Sequence, residues 1–147
     1  MSDKVGFSDF EKRALKERAE ELRREQENKR SKKNPEADAL ELIARMSPES
    51  AYMASNIYDL VKEIAPQLHA KTWYGMPAYA NADNKIVLFF QDKDKFESRY
   101  STLGFEQYAT LDDGDMWPTS FALATWNNDV EKQVRKLITK ATQPQSK

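Results

Sequence analysis

The sequence contains no cysteine, one histidine and only four glycines. The absence of cysteine excludes disulfides, thiolate catalysis and zinc or iron–sulfur sites held by cysteine, and it is typical of a reducing compartment. His69 alone cannot supply the several nitrogen ligands of a transition-metal site, and we expect it to be structural. With so few glycines, the chain has no glycine-rich phosphate loop and no G-x-S-x-G nucleophile elbow.

The sequence also lacks a long apolar run and a large excess of either charge. No segment approaches the length of a membrane span, and the first residues contain no apolar core of a signal peptide. The net charge is −1 although 32% of the residues are charged, so the composition favours neither nucleic acid nor a membrane as a partner. We therefore expect a soluble, cytoplasmic protein, a monomer or weak dimer, whose 147 residues suffice for one core.

A charged helix is predicted at the start of the chain. The capping-box residues Ser8 and Glu11 predict that it runs from Asp9 to about Asn28. A narrow apolar stripe at a spacing of three and four ends at Leu22, so the later half of the helix is expected to be solvated. The members of this stripe are Phe10, Ala14, Leu15, Ala19 and Leu22. A basic cluster follows at Lys29, Arg30, Lys32 and Lys33. A solvated linker is favoured over a phosphate-binding segment, because no aromatic residue is interleaved to stack on a base.

Two further helices begin at Asn34-Pro35 and Ser47-Pro48, because a cap residue followed by proline is a start signal. The first is expected to end near Met46 and the second near Ala65. Apolar spacing predicts these inward residues: Leu40, Leu42 and Ile43 in the first, and Met53, Ile57, Leu60, Val61 and Ile64 in the second.

Strands are predicted after Pro66. The residues Thr72–Tyr74 favour a strand, and Gly75 and Pro77 indicate that it is bent, bulged or at a sheet edge. Turn compositions at 81–85, 92–95 and 112–115 separate further strands. These are Ile86–Phe90, Phe96–Leu103 (interrupted by Gly104 and Phe105), a short strand at Tyr108–Leu111, and Met116–Thr125, broken by Pro118. Asn127 or Asn128 caps a last helix, with Val130, Val134, Leu137 and Ile138 inward.

This order of elements predicts an α+β fold, with an antiparallel sheet of about four to six strands flanked by N-terminal helices and a C-terminal helix. No β-α-β alternation and no internal repeat is visible. We divide the chain into a charged helix and linker at 1–34, an α+β domain at 35–142 and a disordered tail at 143–147.

Aromatic residues beside glycine or proline form the first candidate site. A pocket lined by aromatic rings with a few polar groups explains them as well as a closed core does. The candidate ligand-binding residues are Lys71, Trp73, Tyr74, Met76, Tyr79, Arg99, Phe105, Trp117 and Thr119.

Acidic residues form the second candidate site. Asp112, Asp113 and Asp115 are the tightest group in an acid-rich segment, and hard cations such as ferric iron accept carboxylate ligands. The spacing does not match an EF-hand loop, and Asp-Asp-Gly-Asp is also an ordinary turn composition, so the turn is favoured.

The stretch Lys71–Tyr79, preceded by Ile64-Ala65-Pro66, resembles the signature of the YdhG-like bacterial family of domains of unknown function. The segments Tyr100–Phe105 and Asp112–Phe121 are similar to an actinobacterial-type subgroup that also carries a charged N-terminal helix. The resemblance implies a compact α+β fold with an antiparallel sheet. It also implies no settled enzyme activity, and at least one relative has a frataxin-like role as an intracellular iron chaperone that uses acidic surface residues.

Three functional hypotheses follow. The first is a non-catalytic module that binds a ligand or protein through an aromatic pocket or face, without a cofactor. The second is a frataxin-like iron chaperone that uses surface carboxylates. The third is a weak acid/base enzyme in the same pocket, which requires an ionisable group with a displaced pKa. We favour the first hypothesis.

Overall fold

The chain forms helices, then a meander of strands, then a last helix. A computed structural model describes residues 9–31 and 34–144, with the side chains of residues 9–26 and 34–144. Within these ranges the elements are α1 (Asp9–Ser31), α2 (Pro35–Ala44), α3 (Pro48–Ile64), β1 (His69–Trp73), β2 (Met76–Ala80), β3 (Ile86–Gln91), β4 (Ser101–Phe105), β5 (Ser120–Leu123) and α4 (Asn128–Ala141). The predicted α+β class is confirmed. Ser8 of the predicted capping box, Lys32 and Lys33 of the basic cluster, and tail residues 145–147 lie outside the described residues.

The five strands pair in sequence order, and every neighbouring pair is antiparallel. Short turns suffice for such a meander, which explains why no crossover helix is needed. The order leaves β1 and β5 as the two edges of an open sheet.

Side-chain caps start two of the helices where the sequence predicts. The Asn34 side chain accepts from the amide of Glu36 at the start of α2, and the Asn127 side chain accepts from the amide of Val130 at the start of α4. Each cap satisfies an amide that has no partner within the helix. Ser47 precedes α3 but donates its hydroxyl to Asp94 Oδ2 at 2.8 Å instead of capping the helix.

One face of the sheet packs against α2, α3 and α4. The strand residues on this face are paired across neighbouring strands, so their side chains lie on the same side. The core contains Ala70, Tyr79, Leu88, Phe90, Leu103, Phe105 and Leu123 from the sheet, and Ala39, Ile43, Met53, Ile57, Leu60, Val61, Val134 and Ile138 from the helices. Leu40, expected inward, is 42% exposed, whereas Ala39 takes the core position on α2.

The opposite face of the sheet carries a thinner apolar layer. Ala78, Ala80 and Ile86 are buried there, and Trp73 and Phe89 pack against them. A Cβ at Gly104 would lie 2.2 Å from the ring of Phe89. Gly104 therefore continues β4 rather than interrupting it, because its missing side chain leaves room for the neighbouring ring.

The stretch 71–80 forms a hairpin of two strands, so the predicted bend is a turn between strands, whereas the predicted position at a sheet edge is confirmed for β1. Trp73 pairs with Met76, and Tyr74 and Gly75 form the two-residue turn between β1 and β2. Both turn residues have positive φ, 52° and 76°, as in a type I′ turn. Pro77 pairs with Thr72 in the β1–β2 ladder but lies outside the β2–β3 pairs, which begin at Ala78, so its missing amide costs no bond on the β3 side.

The predicted strands beyond β3 are longer than the observed ones. Residues 92–98 fold into turns, in which the Phe96 amide donates to the carbonyl of Asp92 and the Ser98 amide donates to the carbonyl of Lys93. Strand β4 therefore begins only at Ser101. No strand forms at Tyr108–Leu111, because the Thr110 amide donates to the carbonyl of Ala141 in α4 instead of to a strand. Only Ser120–Leu123 of the predicted Met116–Thr125 strand is extended into the sheet.

Helix α1 packs on the rest of the molecule by its polar side. Glu21 is buried on it, and Glu17, Arg18 and Glu25 are partly buried. Leu15 and Leu22 of the predicted apolar stripe are each 47% exposed. The later half of α1 is not simply solvated, because Glu25 forms an ion pair with Lys71 at 2.8 Å.

Candidate functional site

An open cleft lies where the chain leaves β4 and returns as β5. It has a volume of about 510 Å³, within the range of small-molecule sites. Its lining residues are Phe105, Glu106, Gln107, Ala109, Leu111, Asp112, Asp115, Met116, Trp117 and Thr119. The floor is apolar, since Phe105, Ala109 and Leu111 are buried in the core.

The segment 106–119, which builds the cleft, is irregular but anchored at several points. The Glu106 amide donates to the carbonyl of Val87, and the amide of Phe105 donates to the carbonyl of Thr119. At the middle of the segment, Thr110 Oγ1 donates to the carbonyl of Lys140 at 2.8 Å. The backbone amide of Thr110 donates to the carbonyl of Ala141. These bonds fix the segment against β3 and the end of α4, so the cleft is preformed.

Acidic residues and exposed apolar residues share the rim. Glu106, Asp112 and Asp115 line the cleft, and no lysine, arginine or histidine does so among the described residues. Met116 is 88% exposed beside the partly buried Trp117. An exposed apolar side chain at the mouth of a cleft is available to a ligand.

The predicted ligand-binding residues divide between two regions. Phe105, Trp117 and Thr119 line the cleft. The other residues lie elsewhere: Lys71, Trp73, Tyr74, Met76 and Tyr79 belong to the β1–β2 hairpin, and Arg99 lies in the exposed turn before β4, with its guanidinium 5.1 Å from the ring centre of Tyr100. The structure therefore does not bring the two aromatic groups into one pocket.

The hairpin residues themselves are mostly covered. Tyr79 is in the core, and burial raises the pKa of its hydroxyl. Trp73 packs against Phe89 with 5.5 Å between ring centres. Lys71 is only 6% exposed, and its ammonium contacts Glu25 and Asn84.

The candidate metal ligands lie at the cleft but do not form a closed site. Asp112 and Asp115 line it, and Asp113 between them is exposed. Within the described part of the chain, no three His, Cys, Asp or Glu side chains are placed to hold one metal ion together. His69 is exposed at the start of β1.

Glu106, an acid of the predicted acid-rich segment, also lines the cleft, and the cleft residues that the sequence did not single out are Gln107, Ala109, Leu111 and Met116. The signal for them is weak, because the sequence predicts a short strand at 108–111 and does not predict the hydrogen bonds to α4. Met116 next to Trp117 was the better clue, since two large apolar residues adjoin a turn rich in aspartate.

Comparison with protein-family models, with curated proteins and with solved structures returns no match. The YdhG-like resemblance therefore stays a prediction. Among the helices that the structure describes, none combines the length and apolar character needed to cross a membrane.

Proposed function

We propose that the protein is a non-catalytic binding module whose β4–β5 cleft takes a small organic cation with an apolar body. The observation that carries the proposal is the lining of the cleft, which combines three carboxylates with buried aromatic and aliphatic groups and contains no basic side chain among the described residues. An amine seated there gains an opposite charge without meeting a like one.

The apolar part of the cleft suits the body of such a ligand. Phe105 and Leu111 form the floor, while Met116 and Trp117 stand at the side. Methionine adapts to differently shaped ligands because its chain is unbranched. The face of a tryptophan ring also attracts a cation within about 6 Å of its centre.

The experiment is a fluorescence titration with Trp117 as the only reporter. Trp73→Phe and Trp126→Phe remove the other two tryptophans. Alkylamines and arylalkylamines of increasing length are titrated against this protein, and the carboxylic acids of the same shape serve as matched ligands. We expect saturable changes with the amines and none with the acids. Equal binding of both, or no saturable change with any amine, would reject the proposal.

Matched variants test whether the acidic rim causes the preference. Asp112→Asn with Asp115→Asn should weaken the binding of an amine by about tenfold, because a partly screened charge contact contributes about 1.4 kcal/mol. Asp83→Asn, an exposed acid in the β2–β3 turn, is the control and should leave the affinity unchanged.

Iron delivery is the second candidate, because two of the three candidate aspartates line the same cleft. Carboxylates that line a cleft without forming a closed ligand set suit weak binding and release. Anaerobic calorimetry with ferrous iron tests it. Micromolar binding that is lost in the Asp112→Asn, Asp113→Asn, Asp115→Asn triple variant supports iron. Millimolar binding, or binding unchanged in the variant, rejects iron and leaves the organic cation.

A further inference from the structure

Three glutamates of α1 face the domain at a regular spacing of four residues: Glu17, Glu21 and Glu25. In a helix this spacing places them on one side, about 6 Å apart along the axis. Each of them contacts a different positive or donor group of the domain. Glu17 Oε2 is 2.6 Å from Lys95 Nζ, and Glu25 Oε2 is 2.8 Å from Lys71 Nζ.

The central glutamate binds the backbone of the β1–β2 turn. Glu21 Oε1 accepts from the Tyr74 amide and Glu21 Oε2 accepts from the Gly75 amide, each at 2.7 Å. Both carboxylate oxygens are thus used, as in a charge-assisted bidentate contact. Arg18 completes the contact, with its guanidinium 5.2 Å from the ring centre of Tyr74.

Gly75 is needed for this close approach as well as for the turn. A Cβ at residue 75 would lie 2.8 Å from Lys95 Nζ and 2.9 Å from Glu17 Oε2. A side chain there would force the ends of the Glu17 and Lys95 side chains to shift. The glycine in the Trp-Tyr-Gly-Met stretch therefore serves the docking of an acidic helix in addition to its positive φ of 76°.

The domain thus presents a row of donors, which we name the carboxylate groove: Lys95, the amides of Tyr74 and Gly75, and Lys71. Leu15 and Leu22 face outward, and the apolar residues of α1 on the domain side are the partly buried Phe10 and Ala14 near its start. The Lys95–Glu17 pair is partly exposed, with side chains 26% and 33% exposed, whereas Glu21 and Lys71 are buried. A partly exposed ion pair stabilises weakly, and the buried contacts can be replaced by another carboxylate in the same place. Helix α1 is therefore a displaceable occupant.

We propose that the carboxylate groove is a recognition site for acidic helices of partner proteins, and that α1 fills it within the same chain. The partner helix carries glutamates at positions i, i+4 and i+8, with an arginine after the first. The carboxylates match the spacing of the three donor groups, and the arginine covers Tyr74. This site is separate from the β4–β5 cleft, so the two proposals can fail independently.

The test uses the full chain with α1 weakened by Glu17→Gln, Glu21→Gln and Glu25→Gln. The probe is a fluorescein-labelled peptide of residues 9–31 with the native glutamates, and binding is followed by anisotropy at low salt. We expect the peptide to bind the triple variant at least tenfold more tightly than it binds the unchanged protein, whose groove is filled. The same peptide with glutamine at the three positions should not bind.

Two controls separate the groove from a general charge effect. A protein with Glu20→Gln, an exposed glutamate on α1, should behave like the unchanged protein. Adding Lys71→Gln to the triple variant should abolish binding of the native peptide. Equal binding of the native and glutamine peptides, or no binding to the triple variant, would overturn the proposal. A dimer formed by the triple variant without peptide would also overturn it, in favour of exchange between copies.

A second measurement uses the protein without substitutions. Hydrogen exchange of α1 in the unchanged protein should accelerate several-fold when unlabelled native peptide is added in excess, because the peptide displaces α1. The glutamine peptide should leave the exchange unchanged. Acceleration by neither peptide or by both contradicts the proposal.

Discussion

Helix α1 packs against the sheet mainly through ion pairs and hydrogen bonds, whereas helices α2–α4 pack against it through apolar side chains. α3 buries Met53, Ile57 and Val61 in the core, whereas α1 buries the carboxylate of Glu21 and turns Leu15 outward. Burial of apolar surface is insensitive to salt and hard to replace. The ion pairs and hydrogen bonds of α1 can be replaced by an equivalent set of carboxylates, and the partly exposed Lys95–Glu17 pair is also weakened by salt. One molecule thus contains a fixed body and an exchangeable helix.

The difference also explains why Leu15, Ala19 and Leu22 of the predicted apolar stripe are exposed, although Phe10 and Ala14 are partly buried. A helix can turn only one of its sides toward the domain. In α1 this is the side that carries Glu17, Glu21 and Glu25. The amides of Tyr74 and Gly75, in the turn after β1, gain acceptors from Glu21.

The largest expected effect comes from a cavity in the body. Phe90 is fully buried between the sheet and the helices. Phe90→Ala should lower the free energy of unfolding by about 3–5 kcal/mol, because it removes a large side chain from a packed core. Urea denaturation followed by circular dichroism measures it.

The matched change in α1 is Glu21→Ala. It should leave the unfolding of the body unchanged while hydrogen exchange of α1 accelerates. A comparable loss of global stability in both variants would contradict the division into body and exchangeable helix.

A smaller effect is expected at the open face of the sheet. Gly104→Ala would place a Cβ against the ring of Phe89 and should cost about 1–3 kcal/mol, as overpacking does. Because Phe89 is only partly buried, replacing it with a smaller side chain makes room for the added Cβ at residue 104. The double variant Phe89→Leu, Gly104→Ala should recover most of the loss in thermal denaturation. If it recovers nothing, the cost arises from the strand backbone and not from the ring.

Salt should affect α1 and α3 differently in the unchanged protein. Raising sodium chloride from 0.1 M to 1 M shortens the screening length from about 10 Å to about 3 Å. The partly exposed pairs Lys95–Glu17 and Arg24–Asp38 should weaken, so the amides of α1 should exchange several-fold faster. The amides of α3 should change little. Hydrogen exchange read by mass spectrometry measures both in one sample, and equal responses would contradict the comparison.

Much of the body was predictable from sequence because its elements obey apolar spacing and capping rules. α3, the buried β3 and the Asn127 cap of α4 all follow local signals. The turn at 81–85 also follows them, since Asn81 Oδ1 accepts from the amides of Asp83 and Lys85.

Two of the missed features depend on contacts between distant residues, and the third depends on an unusual turn residue. The Tyr74-Gly75 turn was read as a bend, because a type I′ turn usually begins with Asn or Asp rather than tyrosine. The docking face of α1 follows carboxylates at a spacing of four, Glu17, Glu21 and Glu25, and not the apolar spacing on which the predicted stripe is based. The cleft depends on the Thr110 bonds to α4, which no local pattern predicts.

The smallest predicted effect is the pH dependence that arises from two glutamates whose pKa values are shifted in opposite directions. A hydrogen bond from Lys62, with another from the Tyr58 hydroxyl, lowers the pKa of Glu36 below its ordinary value of 4.5. Burial raises the pKa of Glu21 above 4.5, although the amides of Gly75 and Tyr74 oppose the shift. The charged form is therefore favoured on folding at Glu36 and disfavoured at Glu21.

The two sites should respond to acid in opposite directions. The contribution of Glu36 to stability is present above pH 4.5 and is lost as the pH falls through its lowered pKa. The contribution of Glu21 is fully present below pH 4.5 and is lost as the pH rises through its raised pKa. The unfolding free energy of the unchanged protein relative to Glu36→Gln should thus shrink below pH 4.5. The protection of α1 amides relative to Glu21→Gln should instead grow as the pH falls from 7 toward 4.5. If both differences changed in the same direction, burial would not be the dominant cause at Glu21.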